Sequence, residues 1–279
     1  MQKKKGTPTL ITEQILRLMQ TSGTDWQKPW RNKRFITVRG HILQGNNVVT
    51  LASLSDFDRS VWGTYDQWKS VNCQVKKGAK SVRLTVYKGL DDNNQPTFGK
   101  YIAFNIEQVE GDKSKFDSFD TIDCNKEEKL EEIEQLIKKC NIKFQWGSDI
   151  ACYCPSTDTI SMPDFKSFSS QGGYYATLFH EKGHRTGHKS RLDRDLKGKF
   201  GDKKYAMEEL IAELTACFVS IALEVESEPR PDHAQYLNSW IRLLKDDKRA
   251  FNIATSKAQQ ATNYILNEMG VKVQELEVA

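Results

Sequence analysis

Apolar positions recur at helical spacing near the start of the chain. In PTLITEQILRLMQ, residues 8 to 20, Leu10, Ile11, Ile15, Leu16 and Leu18 fall close to a 3.6-residue period, and Thr12 is a cap candidate. From 36 to 106 the texture changes to short β-like runs such as KSVRLTVYK and YIAFNIEQV, separated by Gly, Asn and Asp turns. The stretch GDKSKFDSFDTIDCNKEEK is polar, charged and without period, and reads as a linker over residues 112 to 127. The second half opens with a predicted helix at 126 to 140, a strand at 142 to 146, and a strand, turn and strand at 153 to 162 closed by Pro163. Helical patterns then cover 174 to 188, 206 to 225, 231 to 245 and 251 to 268. The pattern predicts an α+β fold in two domains: a small α+β domain at 8 to 111, and a domain of a few strands and several helices at 128 to 279.

A length of 279 residues exceeds the usual size of one domain, which agrees with that division. The 38% hydrophobic content suffices for globular cores. No run of about 18 apolar residues and no signal-peptide pattern is found, so a soluble, cytoplasmic protein without a membrane partner is expected. Six cysteines without a paired CxxC framework read as reduced thiols. Cys152 and Cys154 form a C-x-C, which suits either a metal or two side chains on one face of a strand.

Charge is unevenly distributed. Residues 1 to 112 hold 17 Lys and Arg against 10 Asp and Glu, leaving 24 against 27 for the remainder. A basic field of this kind attracts polyanions such as nucleic acid. Trp26, Trp30, Trp62, Tyr65 and Trp68 are interleaved with Lys28, Arg31, Lys33, Arg34, Lys69, Lys76, Lys77 and Lys80. Cations that follow phosphates and aromatic faces that stack on bases are what a single-strand binder needs, although tryptophans also build cores. In Lys76-Lys77-Gly78-Ala79-Lys80, three cations surround a glycine turn that can approach a phosphate backbone closely.

The sharpest motif is His180-Glu181-Lys182-Gly183-His184, which follows YYATLF. On a helix, residues i and i+4 share a face, so two imidazoles can converge on one ion, typically Zn2+, with another divalent transition metal such as Mn2+ also compatible. Glu181 then points beside the open metal position, where it can act as general base. For a third ligand, His188 lies about 12 Å along a straight helix from His180, too far to share the ion. A break at Gly187 is the only way to bring it closer, and otherwise it stays at the periphery of the site. In Met207-Glu208-Glu209-Leu210-Ile211-Ala212-Glu213, the apolar Leu210, Ile211, Leu214, Phe218 and Ile221 mark a buried face. Glu209, Ala212, Glu213 and Ala216 form an adjacent stripe whose small residues admit another helix. Glu209 is the expected ligand and Glu213 the acid that orients a ligand imidazole, as a gluzincin-type metallopeptidase requires, with Glu208, Glu213 and His188 as alternatives for the third ligand.

The chain resembles the ArdC-type antirestriction family of plasmids and phages. The similarity rests on WQKPW, on WGTYDQWKSVNCQVKKGAKSVRLTVYK and on FNIEQVEG in the first half. In the second half it rests on I-S-M-P at 160 to 163, YYATLFHEKGHRTGH, the Arg191-Leu192 pair, FGDKKYAMEELIAEL, YLNSWIRLLKDDKRAF and SKAQQATNYIL. The resemblance implies an amino-terminal domain that binds single-stranded DNA and a carboxy-terminal zincin-like domain related in arrangement to SprT-like proteases. It further implies protection of incoming DNA from host restriction, with a protein of the restriction system as a candidate substrate. Two departures stand out. Lys182 occupies a usually apolar place, expected to be exposed, and GHILQGNNVVTL is a loose version of the family's Tyr-Arg-Gly-Ile-Asn segment, in which Asn46 and Asn47 would contact DNA. The rival reading is a non-enzymatic single-strand binder whose metal is structural, and an open position beside Glu181 argues against it. Inhibition by DNA mimicry needs a strongly acidic surface, which the charge balance argues against.

Overall fold

The computed structural model describes residues 7–22, 34–90, 96–120, 126–199, 202–225, 233–247 and 249–271. Contacts divide them into two compact units, one between 34 and 120, the other from 126 to 271 together with the amino-terminal helix α1 (Thr7–Ser22).

The first unit is built on a four-stranded sheet. Its elements are β1 (Ile36–Thr37), α2 (Asn46–Leu54), β2 (Val61–Gly63), α3 (Tyr65–Ser70), β3 (Gln74–Val75), β4 (Val82–Leu90), β5 (Pro96–Asn105), β6 (Val109–Glu110) and α4 (Asp117–Asp120). The sheet order is β1-β2-β5-β4, and β3 pairs with β6 in a separate ribbon. The hairpin of β4 and β5 is antiparallel, with Val82 opposite Ala103 and Arg83 opposite Ile102, so Leu84, Val86 and Ala103 fill the core while Arg83, Lys100 and Ile102 are exposed. Trp62 and Trp68 are buried as well, at 1% and 0% exposure, Trp68 in a cluster with Val61, Ile106 and Phe116, so neither is available to a base. The expectation that they stack on nucleic acid is thereby corrected: Trp68 donates from Nε1 to the Phe104 carbonyl at 3.0 Å and meets Phe116 edge-on, and Trp62 lies edge-on to Phe57.

Helix α2 was not marked by periodicity, because its segment is buried almost all round, from Asn47 to Leu51. Asn47 reaches β4 in its middle. Its Nδ2 donates to the Thr85 carbonyl at 2.8 Å and its Oδ1 accepts from Thr85 N at 2.9 Å, as a neighbouring strand would. Buried and so engaged, Asn47 supports the sheet instead of presenting itself to DNA.

In the second unit the order is α5 (Lys126–Lys139), β7 (Lys143–Trp146), β8 (Cys152–Cys154), β9 (Thr159–Met162), α6 (Gln171–Thr186), α7 (Lys203–Ala222), α8 (His233–Asp246) and α9 (Ala250–Glu268). The three strands form a sheet in the order β7-β9-β8, β7 parallel and β8 antiparallel to the central β9. Ile133 and Ile137 of α5, Ile160 and Met162 of β9, Leu178 and Phe179 of α6, Val219 of α7 and Ile265 of α9 form one core. Each such side chain contributes about 1.5–3 kcal/mol on burial. Helix α1 places Ile11, Ile15, Leu16 and Met19 against α8 and α9, and by these contacts it groups with this unit. None of the helices among the described residues is long and apolar enough to cross a membrane.

Candidate metal centre

Helix α6 begins at Ser170, whose Oγ accepts from Gly173 N at 3.0 Å, and runs through the His-Glu motif to Thr186. Tyr174, Tyr175, Leu178 and Phe179 anchor it in the core. At Gly183 it comes so near α7 that an added Cβ would lie 3.2 Å from Ala212 Cα, and this close approach is what the stripe of small residues on α7 allows.

The crossing carries the side chains of both helices to one point. His180 Nε2 and His184 Nε2 lie 3.0 Å apart, and the Glu209 carboxylate presents Oε2 to the first and Oε1 to the second, each at 3.5 Å. One ligand atom from each of these residues lies within 4.8 Å of the others. Among the described residues this is the group able to share an ion, and neither Cys152 nor Cys154 is part of it. The far side of each imidazole meets an acid: Glu213 Oε1 is 3.5 Å from His180 Nδ1, and Glu208 Oε1 is 3.1 Å from His184 Nδ1. A carboxylate at Nδ1 favours the tautomer that keeps its proton there and turns the Nε2 lone pair toward the shared point.

Burial alone would lower the basicity of His184, but hydrogen bonds to Glu208 and Glu209 outweigh it and push its pKa up to about 10, so the ring can hold a cation only by giving up the proton at Nε2 while keeping the one at Nδ1. For Glu209, burial would raise the carboxyl, and the bonds from His180 and His184 hold it well below the usual range instead. Glu208, Glu209 and Glu213 thus contact the two imidazoles, Glu181 lines the cleft beside them, and the Arg194 guanidinium offsets only Glu208. That excess of negative charge, with two nitrogens and one oxygen facing inward, suits a divalent cation.

The centre opens into a cleft of about 280 Å³. Its walls are Cys152, Tyr153 and Pro155 on one side, Asp195, Leu196 and Gly198 on another, and Lys204, Tyr205 and Tyr236 on the third, with Glu181 beside the two histidines. Burial, followed by a hydrogen bond to Tyr236 (Oη to Oη 3.3 Å), raises the pKa of Tyr205, so its hydroxyl stays protonated in the cleft. Burial, followed by the negative Glu181, likewise raises the Cys152 thiol, whereas hydrogen bonds from Ser156 and Thr157 lower Cys154 to about 7.

His188 does not join the centre. It lies past the end of α6, in the turn that follows, where its Nδ1 pairs with Ser190 Oγ at 2.8 Å and accepts from Ser190 N. The residues that sequence reasoning passed over are Arg194 and Tyr205, while Glu208, named as an alternative third ligand, faces His184 Nδ1 instead. A Glu-Glu pair leaves open which acid faces which histidine, and only the crossing of α6 and α7 decides it. Lys182, expected at the surface, is 1% exposed, with Nζ 3.6 Å from Cys140 Sγ and 3.9 Å from Glu268 Oε2.

In the first unit Lys69, Lys76, Lys77 and Lys80 are exposed, and Gly78 takes a φ of 83° at the tip of their loop, which glycine adopts without strain. Arg34 is half-buried. Lys28, Trp30, Arg31 and Lys33 lie outside the described residues.

Two family models match the chain: the N-terminal domain of anti-restriction factor ArdC over residues 7–139, and a zincin-like metallopeptidase over residues 131–257. The Sinorhizobium fredii (strain NBRC 101917 / NGR234) protein y4eC is 34% identical, the alignment covering 91% of this chain and 90% of that protein. A DNA primase TraC of Escherichia coli is 31% identical across 99% of this chain, which spans only 21% of the primase's length. Among solved structures, the Mn(II)-bound antirestriction protein ArdC from plasmid R388 is similar with a TM-score of 0.76 and 30% identity, covering 95% of this chain and 98% of that one. Its metal-free form is similar with a TM-score of 0.74 and 31% identity, covering 94% and 97%.

Proposed function

The chain belongs to the ArdC antirestriction family, and from that premise we propose that it binds single-stranded DNA and hydrolyses a peptide bond at a divalent metal, zinc by its donor set, so protecting the incoming DNA of a mobile element from host restriction. The observation that carries the reading is the convergence of His180, His184 and Glu209 at the floor of an open cleft, with Glu181 alongside and outside the ligand group. A structural zinc is ordinarily enclosed by four protein ligands, and here one side faces the cleft.

When bound, the metal would acidify a coordinated water and polarise the scissile carbonyl. Glu181 takes the proton from the attacking water and delivers it to the leaving amine. Glu213 and Glu208 keep His180 and His184 oriented. Tyr205, protonated and lining the cleft, is a side chain able to donate a hydrogen bond to the developing oxyanion. Nucleic acid is assigned to the first unit, where the Lys76 to Lys80 loop and the exposed Arg83, Lys100 and Ile102 offer cations beside an apolar contact.

Elemental analysis should find close to one divalent ion per chain in the wild type and in Glu181→Gln. Cleavage of host restriction subunits, assayed with and without single-stranded DNA, should vanish in that variant. Glu209→Ala should lose metal and His188→Ala should retain it. Retained cleavage in Glu181→Gln, or the reverse order of metal loss, contradicts the assignment.

A further inference from the structure

Arginine in a polar loop normally projects into solvent, yet Arg194, in the irregular segment after α6, has a side chain only 5% exposed. The loop folds back on the helix end. Leu192 N donates to the Thr186 carbonyl at 3.0 Å, Asp193 turns with a φ of 46°, and Arg194 N donates to the Gly187 carbonyl at 2.9 Å. This returns the Arg194 side chain beneath α6.

There the guanidinium makes four hydrogen bonds. Nε donates to Glu208 Oε2 at 2.9 Å and Nη2 to Glu208 Oε1 at 2.7 Å, a two-pronged grip on the carboxylate. Nη1 donates to Thr186 Oγ1 and Nη2 to the Gly183 carbonyl, both at 2.8 Å, which fixes the guanidinium plane to the helix that carries the histidines. Glu208 Oε1, so held, is the atom that faces His184 Nδ1 at 3.1 Å. The other imidazole has a looser arrangement, with Glu213 at 3.5 Å from His180.

We propose that Arg194 is a positioning residue of the metal centre: by gripping Glu208 it fixes the orientation and tautomer of His184, so that His184 Nε2 stands ready as a ligand. The inference rests on the metal-centre reading given above. Arg194 also leads directly into Asp195, Leu196 and Gly198, so one side chain supports both a ligand and a wall of the cleft. A mere loop anchor would leave metal affinity untouched once the protein is folded. A positioning residue would not.

The test is a double-mutant cycle on zinc affinity, measured in the full chain by competition with a chelator, together with the electronic spectrum of the cobalt-substituted protein. Arg194→Met should weaken zinc binding by about ten- to a hundredfold, the usual effect of removing a partner of a ligand histidine. In a Glu208→Ala background the same substitution should add little, because the path to His184 is already cut. Arg194→Lys, which keeps a cation but loses the two-pronged grip, should fall between the two and shift the cobalt spectrum; if Arg194→Met does not fold, it replaces Met in the cycle. The proposal is overturned if zinc affinity is unchanged in the Arg194 variants, or if the loss is equal in both backgrounds while wild type binds one zinc. A wild type that takes up no metal removes the metal-centre reading itself, and the proposal with it.

Discussion

Asp158 holds together three pieces of the metal-bearing unit. Its carboxylate receives both terminal nitrogens of Arg191 and the Tyr153 hydroxyl, while Arg191 Nε donates to the Arg185 carbonyl near the end of α6. The hydrogen bond from Arg191 is the main cause that lowers the Asp158 pKa from an ordinary 3.8 to about 2. A carboxyl whose folded-state pKa is depressed adds stability above its unfolded value and loses it as pH falls toward the folded one. Asp158→Asn should therefore melt below wild type at pH 7, and the gap should begin to close below about pH 4. Thermal melts from pH 7 to pH 3 check this, and a gap that stays constant would mean that the charge on Asp158 is not what Arg191 holds. Other residues show where a linear reading stops. His180, Glu181 and His184 could be proposed from spacing, because i to i+4 on a helix is a local property, and Glu209 from the stripe it shares with Glu213 on α7. Arg194 could not, since its partner Glu208 is brought to it only by the packing of α7 on α6.

At the scale of elements, the site depends on how closely α6 and α7 approach. Gly183 is the narrowest point: a methyl there would sit 3.2 Å from Ala212 Cα and 3.3 Å from Thr215 Cβ, so the helices would have to part by a few tenths of an ångström. Alanine gains about 1 kcal/mol over glycine in helix propensity. Overpacking against backbone costs about 1–3 kcal/mol. Gly183→Ala should thus lower stability by about 1 kcal/mol in denaturant titrations and weaken metal binding, because Glu209 moves with α7. Unchanged stability with unchanged metal affinity would show that α7 yields freely. The helices of the second half were legible because most carry a one-sided apolar pattern. Helix α6 itself is buried nearly all round, which explains Lys182: with no solvent-facing side the helix turns even a lysine inward, where burial lowers its pKa and Glu268 and Cys140 become its neighbours. Trp62 and Trp68 were misread for a related reason, as composition places aromatic residues beside lysines without telling which of them the sheet covers.

Across the whole molecule, the two units differ in what they offer. The three residues able to share an ion lie between 180 and 209, while the exposed lysine loop lies in the unit between 34 and 120. Binding of single strands by cations releases counterions, so affinity should fall steeply with salt, by about 0.7 in log–log slope for each phosphate neutralised. Replacing Lys76, Lys77 and Lys80 together should weaken binding across all sequences and flatten that slope by up to about 2. Trp62→Phe and Trp68→Phe should instead alter stability and leave the slope alone, since neither ring reaches solvent. Chelation of the metal should leave the affinity of the full chain for single strands unchanged, because His180, His184 and Glu209 all lie outside the lysine-bearing unit. Fluorescence anisotropy with labelled single strands over a salt series, run with and without chelator, measures all of these together. If the triple lysine variant keeps the wild-type slope, or if chelation weakens binding as much as the lysine replacements do, the nucleic acid lies elsewhere and the assignment of separate tasks to the two units fails.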